Sequence, residues 1–429
     1  MGADPHEHKH PCPHPHRGAC HLDRRRAVRD DSQEHFHQRS GGCPMPGTPL
    51  KNLIYRMALP FLAPSPRGKM THQTEGLPLN DLKGYEKLLI RHHVMGATLL
   101  LKNGDKVRTV HTSVPGHTAG PDAMYRVASI TKMATALVAL SMVEEGLFTL
   151  DTPVAELLPQ GPGTDVLAGV TVRHLLCHTS GLVDTSEADK ALLEGRTFHD
   201  VLVAGNQQFK QPGKEMNYCN FGFGLMGCIM EQATGKALPD IFGERLFTPL
   251  HMKATLDATR LDENTIMPIT RVLPYRKGQD VRITRLGRQP LNTPDPLRHF
   301  GHTAGAMYAN APALSNLLTL IANKGEFEGK RILSRDAFYS MLALQSSTPT
   351  RMYGLGLVLL NRPKISKRML HGHQGFAYGC VDGAFVEEFD GRQVIFLNGG
   401  ASEARQGKLG LVNRDILAWA LNKEMASWQ

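Results

Sequence analysis

Tyr125-Arg126-Val127-Ala128-Ser129-Ile130-Thr131-Lys132 runs without a break into Met133–Val143, and the rest of the chain is organised around this stretch. After Lys132, the residues Met133, Ala134, Ala136, Leu137, Val138, Ala139, Leu140, Met142 and Val143 leave no polar face. That pattern predicts a helix buried on all sides. Glu144-Glu145-Gly146 closes it, with Gly146 suited to the left-handed position after a helix end. Ser129 and Lys132 stand three apart at its entrance, so both project from one face. The free N–H groups of a first turn also suit a developing negative charge. An ammonium at the mouth of an apolar helix is desolvated, so its pKa falls and it can take a proton from Ser129. Ser-x-x-Lys is a common spacing, so partners elsewhere in the chain must decide its meaning.

Length and charge bound the alternatives. A chain of 429 residues can bury a sizeable core and hold two lobes. No stretch is long and apolar enough to cross a membrane. The formal charge is +9, but residues 1–70 carry eleven Lys and Arg against six Asp and Glu. The remaining 359 residues are therefore near balance, which argues against a nucleic-acid groove. Cys12, Cys20, Cys43, Cys177, Cys219, Cys228 and Cys380 are odd in number and form no paired framework, as expected of reduced thiols in a cytoplasmic protein. The expected partner is a small molecule, with no nucleic acid and no membrane; oligomeric state is not legible.

Residues 1–47 are rich in His, Pro, Gly and Arg and poor in large apolar side chains, which predicts a disordered tail extending to about residue 70. Within it His6-Glu7-His8-Lys9-His10 matches a zinc-protease pattern, but Pro5, Pro11, Pro13 and Pro15 forbid the helix that pattern needs. Leu50–Ala63 is interrupted by Lys51, Arg56 and Pro60 and lacks a clear cleavage site, so it is not read as a signal peptide. Globular patterning covers 71–429. A helix is expected over Leu79–His93, then strands Gly96–Lys102 and Lys106–Thr112 joined at Asn103-Gly104. Further helices are expected at Thr171–Cys177, Phe198–Asn206, Asn220–Thr234, Leu238–Phe247, Asn310–Asn323 and Arg335–Leu344. Residues 271–298 read as a basic, irregular excursion. Strands follow at Tyr353–Leu360, Gly379–Phe389 and Gln393–Asn398, and a last helix at about 408–423. Strands at both ends with helices between predict an α+β fold: one sheet built from both termini, and a helical insert over about residues 130–300.

Three segments bear on the chemistry. Pro212-Gly213-Lys214-Glu215-Met216-Asn217-Tyr218-Cys219-Asn220 is a turn directly before a helix, where Tyr218 and Asn220 point the same way. Facing Ser129, Tyr218 could relay a proton and Asn220 could hold a substrate amide or Lys132; otherwise Asn220 is a helix cap. Gly222-Phe223-Gly224-Leu225-Met226-Gly227 imitates a dinucleotide fingerprint but lacks the preceding buried strand, so its glycines read as close helix packing. In His371-Gly372-His373-Gln374-Gly375-Phe376, glycines beside a strand permit close approach. There His373 could donate to a carboxylate or the reacting group, and the Phe376 N–H could join that of Ser129 in an oxyanion hole.

Together these segments resemble the serine β-lactamase and penicillin-binding protein superfamily, in its class C β-lactamase-like branch. Ser129-Ile130-Thr131-Lys132 resembles its S-x-x-K motif, Tyr218-Cys219-Asn220 its Y-x-N motif, and His373-Gln374-Gly375 stands in the place of K-T-G. Leu175-Leu176-Cys177-His178-Thr179-Ser180-Gly181-Leu182 and Thr303-Ala304-Gly305-Ala306-Met307 are also similar, and the likeness covers about residues 75–422. The resemblance implies an antiparallel sheet flanked by helices, an all-helical lobe, and acyl transfer through an acyl-serine. Ser129 would be the nucleophile, and Lys132 and Tyr218 would manage its proton. Asn220 and His373 would position substrate, the Phe376 N–H beside Gly375 would help hold the oxyanion, and no cofactor or metal would be needed. Histidine in place of the third-motif lysine removes a fixed cation for a substrate carboxylate. Small esters or amides are therefore the expected substrates. D,D-peptidase, D-aminopeptidase or weak β-lactamase activity is the alternative, and a catalytically silent binding protein the non-enzyme one.

Overall fold

Short runs buried on both faces, at the two ends of the chain, pair into a single sheet in the computed structural model, which describes residues 49–204, 211–279 and 290–428. The strands are β1 (Thr71–Gly76), β2 (Ala97–Asn103), β3 (Lys106–Ser113), β4 (Ser346–Thr348), β5 (Arg351–Tyr353), β6 (Val358–Leu360), β7 (Leu370–Ala377), β8 (Cys380–Glu387) and β9 (Gln393–Asn398). Their order is β1-β3-β2-β9-β8-β7-β6-β5-β4, every pairing antiparallel. N-terminal β2 thus lies against C-terminal β9, Ala97 opposite Asn398, which closes one sheet from both ends. The β2–β3 turn is Gly104-Asp105, with Gly104 at φ +57 where a side chain would be strained.

One face of the sheet is covered by the helices Leu82–Arg91 and Leu411–Trp419. Asp81 ties them: its carboxylate caps the first at Gly84 N and accepts from Trp419 Nε1 at 2.9 Å. The other face is covered by the helix Ala311–Ala322 and packs on the helix Thr131–Glu144, in which every residue from Thr131 to Leu140 is buried. Gly146 follows that helix at φ +77, as its position predicts. Between it and the returning strands the chain is mostly helical: Val172–Leu176, Ser186–Glu194, Phe198–Val203, Asn220–Thr234 and Leu238–Phe242. The glycines of the Asn220–Thr234 helix do serve close packing, since a Cβ on Gly224 would lie 1.5 Å from the Phe300 carbonyl oxygen.

Several expectations are corrected. The tail was expected to be disordered to about residue 70, yet Pro49–Leu62 is a helix and β1 begins at Thr71. The helix is fixed by contacts distant in sequence: Asn52 Nδ2 donates to the Arg405 carbonyl and the Glu403 N–H donates to Tyr55 Oη. Residues 1–48, with the His6/His10 pattern, lie outside the described residues. The excursion at 271–298 begins as a hairpin of Ile269–Val272 with Tyr275–Gln279; these strands are too short for a period to register. The strand expected over Tyr353–Leu360 is broken, because Gly354–Leu357 loops out against the Thr131–Glu144 helix. Gly356 sits there at φ +69, and a Cβ on it would be 2.5 Å from the Lys132 carbonyl oxygen.

Candidate active site

Ser129 sits in a single 3₁₀ turn, Ala128–Ile130, that feeds the buried helix. Ala128 just before it takes φ +47, a left-handed conformation that costs an alanine of order 1 kcal/mol. Such strain is characteristic of residues whose side chains are aimed for function. Lys132, one turn later, has its side chain wholly buried. Its Nζ donates to Asn220 Oδ1 at 2.8 Å and to the Ala304 carbonyl at 2.6 Å, and lies 3.3 Å from Ser129 Oγ. Two acceptors take the two hydrogens of a neutral amine, which turns its lone pair toward the serine. Burial lowers the Lys132 pKa to about 7, against a smaller opposing pull from Asp184.

Tyr218 arrives from the helical side. Its hydroxyl donates to Ser129 Oγ at 2.8 Å. Burial pushes its pKa up to about 12, with the Ser129 hydrogen bond and Arg351 pulling the other way, so it stands as a neutral phenol. Its ring is clamped by His178 at 4.2 Å between centroids, with Tyr353 at 6.1 Å and His373 at 6.4 Å completing an aromatic wall. Asn220 opens the next helix, and Asp184 orients it. Asp184 accepts from Asn220 Nδ2 and from the Phe221 N–H, both at 2.8 Å. With Nδ2 on Asp184, Oδ1 must face Lys132.

The strand β7 supplies the opposite wall. A Cβ on Gly375 would lie 2.3 Å from the Val127 carbonyl oxygen, so only glycine lets the strand lie against the serine turn. Strand β6 pairs with β7 only from Leu370 to Gly372, which leaves the edge open from His373 onward. Phe376 pairs with Val381, whose N–H and C=O both bond to the Asn398 side chain, on the side away from β7. Opposed residues in an antiparallel ladder either exchange both bonds or neither. The Phe376 N–H therefore points to the open edge, beside Ser129, while its ring turns away under the Arg405 guanidinium. Gln374 also turns away and accepts from the Gly410 N–H at 3.1 Å.

His373 is placed differently from one sequence expectation. Burial first, and the Lys132 charge second, lower its pKa to about 3, so it is neutral. Its Nδ1 lies 2.6 Å from the Gln374 carbonyl, an acceptor only, so Nδ1 carries the proton. Nε2 is then an acceptor, without a partner among the described residues. It cannot donate to a carboxylate; it can take a hydrogen bond from a substrate N–H or O–H. The cation that the histidine fails to supply is present elsewhere. Arg351, on β5, holds its guanidinium carbon 5.1 Å from the Tyr218 ring centre, and no carboxylate pairs with it among the described residues. A cavity of about 520 Å³ lies between Gly213–Met216 and Leu344–Pro349, and none of Ser129, Lys132, Tyr218, His373 or Arg351 lines it.

Ser129, Lys132, Tyr218, Asn220, His373, Gly375 and Phe376 are thus brought to one cleft. Sequence reasoning did not find Asp184, His178, Tyr353 or Arg351. His178 lay in a recognised block, but its stacking on Tyr218 joins segments forty residues apart; Asp184 and Arg351 belong to no pattern. No group of His, Cys, Asp and Glu suited to a metal occurs among the described residues.

The two-ended sheet, the helical insert and the Ser-Lys-Tyr cluster between them define the serine β-lactamase and penicillin-binding protein superfamily, a fold of serine hydrolases and acyltransferases. Within it the chain belongs to the Beta-lactamase family, whose pattern matches residues 82–388. Penicillin-binding protein 4 of Amycolatopsis lactamdurans is 32% identical over 185 residues, covering 40% of this chain and 48% of its own. Penicillin-binding protein 4* of Bacillus subtilis (strain 168) is 25% identical over 265 residues, covering 58% of this chain and 55% of its own. The chain spans about half the length of these curated relatives. A D-stereospecific amidohydrolase from Streptomyces sp. superposes with a TM-score of 0.59 at 26% identity, over 78% of this chain and 97% of the other. The D-amino acid amidase of Ochrobactrum anthropi SV3, in complex with L-phenylalanine amide, gives 0.63 at 22% identity, over 80% and 98%, a likeness of fold.

Proposed function

We propose that the protein is a serine hydrolase that cleaves small esters or amides through an acyl-enzyme on Ser129. The observation that carries this reading is the pair of contacts on one oxygen: the Lys132 amine at 3.3 Å and the Tyr218 hydroxyl at 2.8 Å from Ser129 Oγ. Lys132 takes the serine proton as Oγ attacks the carbonyl carbon, and the oxyanion is held by the N–H groups of Ser129 and Phe376. Tyr218 protonates the leaving group as the C–N or C–O bond breaks, and is resupplied from Lys132. Water then attacks the acyl-serine by the same route in reverse. His373 Nε2 accepts a substrate N–H, and Arg351 offers a cation to substrates bearing a carboxylate. The similarity to a D-stereospecific amidohydrolase supports amides as one substrate class.

The test is mass spectrometry of the protein after brief exposure to p-nitrophenyl acyl esters, D-amino acid amides and nitrocefin, each in neutral and carboxylate-bearing forms where available. The expected result is an acyl mass on the peptide containing Ser129, appearing and decaying during turnover. Acylation elsewhere, or none with any member of the panel, overturns the reading. An acyl mass that forms and never decays supports instead the silent binding protein.

Asp184 is a positioning residue in this scheme, and Asp184→Asn removes its charge together with one of its two acceptor oxygens. The variant is expected to lower kcat/KM by about tenfold, in line with loss of one supporting hydrogen bond. Its negative charge stabilises the Lys132 ammonium, so removing it lowers the Lys132 pKa further. The acid limb of the kcat/KM–pH profile should therefore move to lower pH. A lowered rate with an unmoved limb would make Asp184 merely structural.

A further inference from the structure

The helix Pro49–Leu62 presents two unlike faces. Asn52, Tyr55 and Leu59 recur at helical spacing and form the docked side: Asn52 donates to the Arg405 carbonyl, Tyr55 accepts from the Glu403 N–H, and Leu59 is buried. The opposite side holds Leu50, Leu53, Ile54, Met57 and Phe61, which are between 52% and 86% exposed. At 100° per residue these five fall within an arc of about 100°, centred opposite the docked residues. Lys51 and Arg56 are exposed on the two flanks of that arc. From Pro49 to Met70 the sequence has Lys51, Arg56, Arg67 and Lys69 and no acidic residue.

Large contiguous apolar surface on a folded chain marks an interaction site. This one is a helix with an apolar stripe, cationic flanks and no negative charge, which is the pattern that lies in a lipid interface with its apolar side among the acyl chains. The flanking cations select the lipid: each Lys or Arg close to an anionic leaflet adds attraction, and a protein groove of ordinary composition would not call for the absence of every carboxylate over 22 residues. We infer that residues 49–70 form a peripheral anchor by which this protein binds an anionic lipid surface.

No described helix is long and apolar enough to cross a membrane, and none is needed for this mode of attachment. The expectation that no membrane is involved rested on the lack of a spanning stretch; lying on a surface takes only one face. The anchor is also joined to the cleft. Arg405, held through its backbone by Asn52, places its guanidinium carbon 4.1 Å above the Phe376 ring, on the strand that lines the site.

The experiment is co-sedimentation of the full chain with phosphatidylcholine vesicles, with and without about a third phosphatidylserine, at about 0.1 and 0.5 M salt. The wild type should bind the anionic vesicles, at least about tenfold less well to the neutral ones, and less well at high salt. The double variant Leu53→Glu/Met57→Glu should lose at least about tenfold in binding, since both positions would place charge among acyl chains. Its circular dichroism and melting temperature should match the wild type, because both side chains are exposed. Absence of vesicle binding, equal binding to neutral vesicles, or undiminished binding by the variant overturns the proposal. So does a dimer, seen by light scattering, that the variant abolishes while vesicle binding is missing: the face would then meet a second copy. None of these readouts depends on hydrolytic activity.

Discussion

Lys132→Met is expected to lower kcat/KM for ester hydrolysis by about 10³-fold, within the range that a positioned general base supplies. Methionine has a similar volume and length, so the buried site keeps its packing while losing the amine. The pH dependence gives the sign. Burial holds the Lys132 pKa down at about 7, so the amine is charged below that value and neutral above it. Only the neutral form can take the Ser129 proton. The wild-type kcat/KM should therefore rise about tenfold per pH unit up to about 7 and level off beyond it. In the methionine variant the remaining rate should lack that limb. Rates measured from pH 5 to 9, with labelled active fraction as the normaliser, check both parts. A variant that keeps the bend near 7 would show that another group titrates there. Burial lowers His373 to about 3 and His178 well below its usual value in the wild type, and the Lys132 charge that adds to both shifts is absent from the variant.

Local pattern and long-range packing divide what the sequence disclosed. The buried helix after Ser129 was legible because a wholly apolar run has one physical explanation, and every residue from Thr131 to Leu140 is indeed buried. The sheet assembled from both ends followed from strands at 96–112 and 379–398 with helices between, and β2 does pair with β9. Gly224 and Gly375 had a different kind of legibility. Each was flagged as a place of close approach, but what approaches was decided by the fold: the Phe300 carbonyl for one and the Val127 carbonyl for the other. Asp184 could not be read at all. A carboxylate two residues past Leu182 is indistinguishable from a solvated turn residue until Asn220 is placed 2.8 Å from it. Arg351 was hidden for the same reason, on a three-residue strand too short to show alternation. The His373 tautomer depends on the carbonyl of the next residue, a geometry that composition does not carry. The helix at 49–62 was missed because its few large polar contacts lie some 350 positions away, at Glu403 and Arg405.

Tyr218→Phe should lower kcat/KM by at least about 10²-fold, but only where the leaving group needs a proton. The phenol sits 2.8 Å from Ser129 Oγ, and its pKa, pushed up to about 12, keeps it protonated across the working range. It therefore serves as a donor in the ground state, and it becomes essential when an amide nitrogen or an alkoxide must depart. A p-nitrophenolate leaves as a stable anion and draws little on that proton. The variant should accordingly lose far more activity against D-amino acid amides or alkyl esters than against p-nitrophenyl esters, and product formation should be compared on matched acyl groups. Phenylalanine keeps the ring stacked on His178 at 4.2 Å and under Arg351 at 5.1 Å, so the wall of the cleft is retained and the lost oxygen is the only change. Equal losses on both leaving groups would remove proton delivery from the role of Tyr218 and leave it the task of orienting the serine hydroxyl. That orienting contact is made in the free enzyme as well, so its loss would act on the attack step that both substrates share. The difference between the two ratios thus measures how much of the catalytic contribution of Tyr218 is made at bond cleavage.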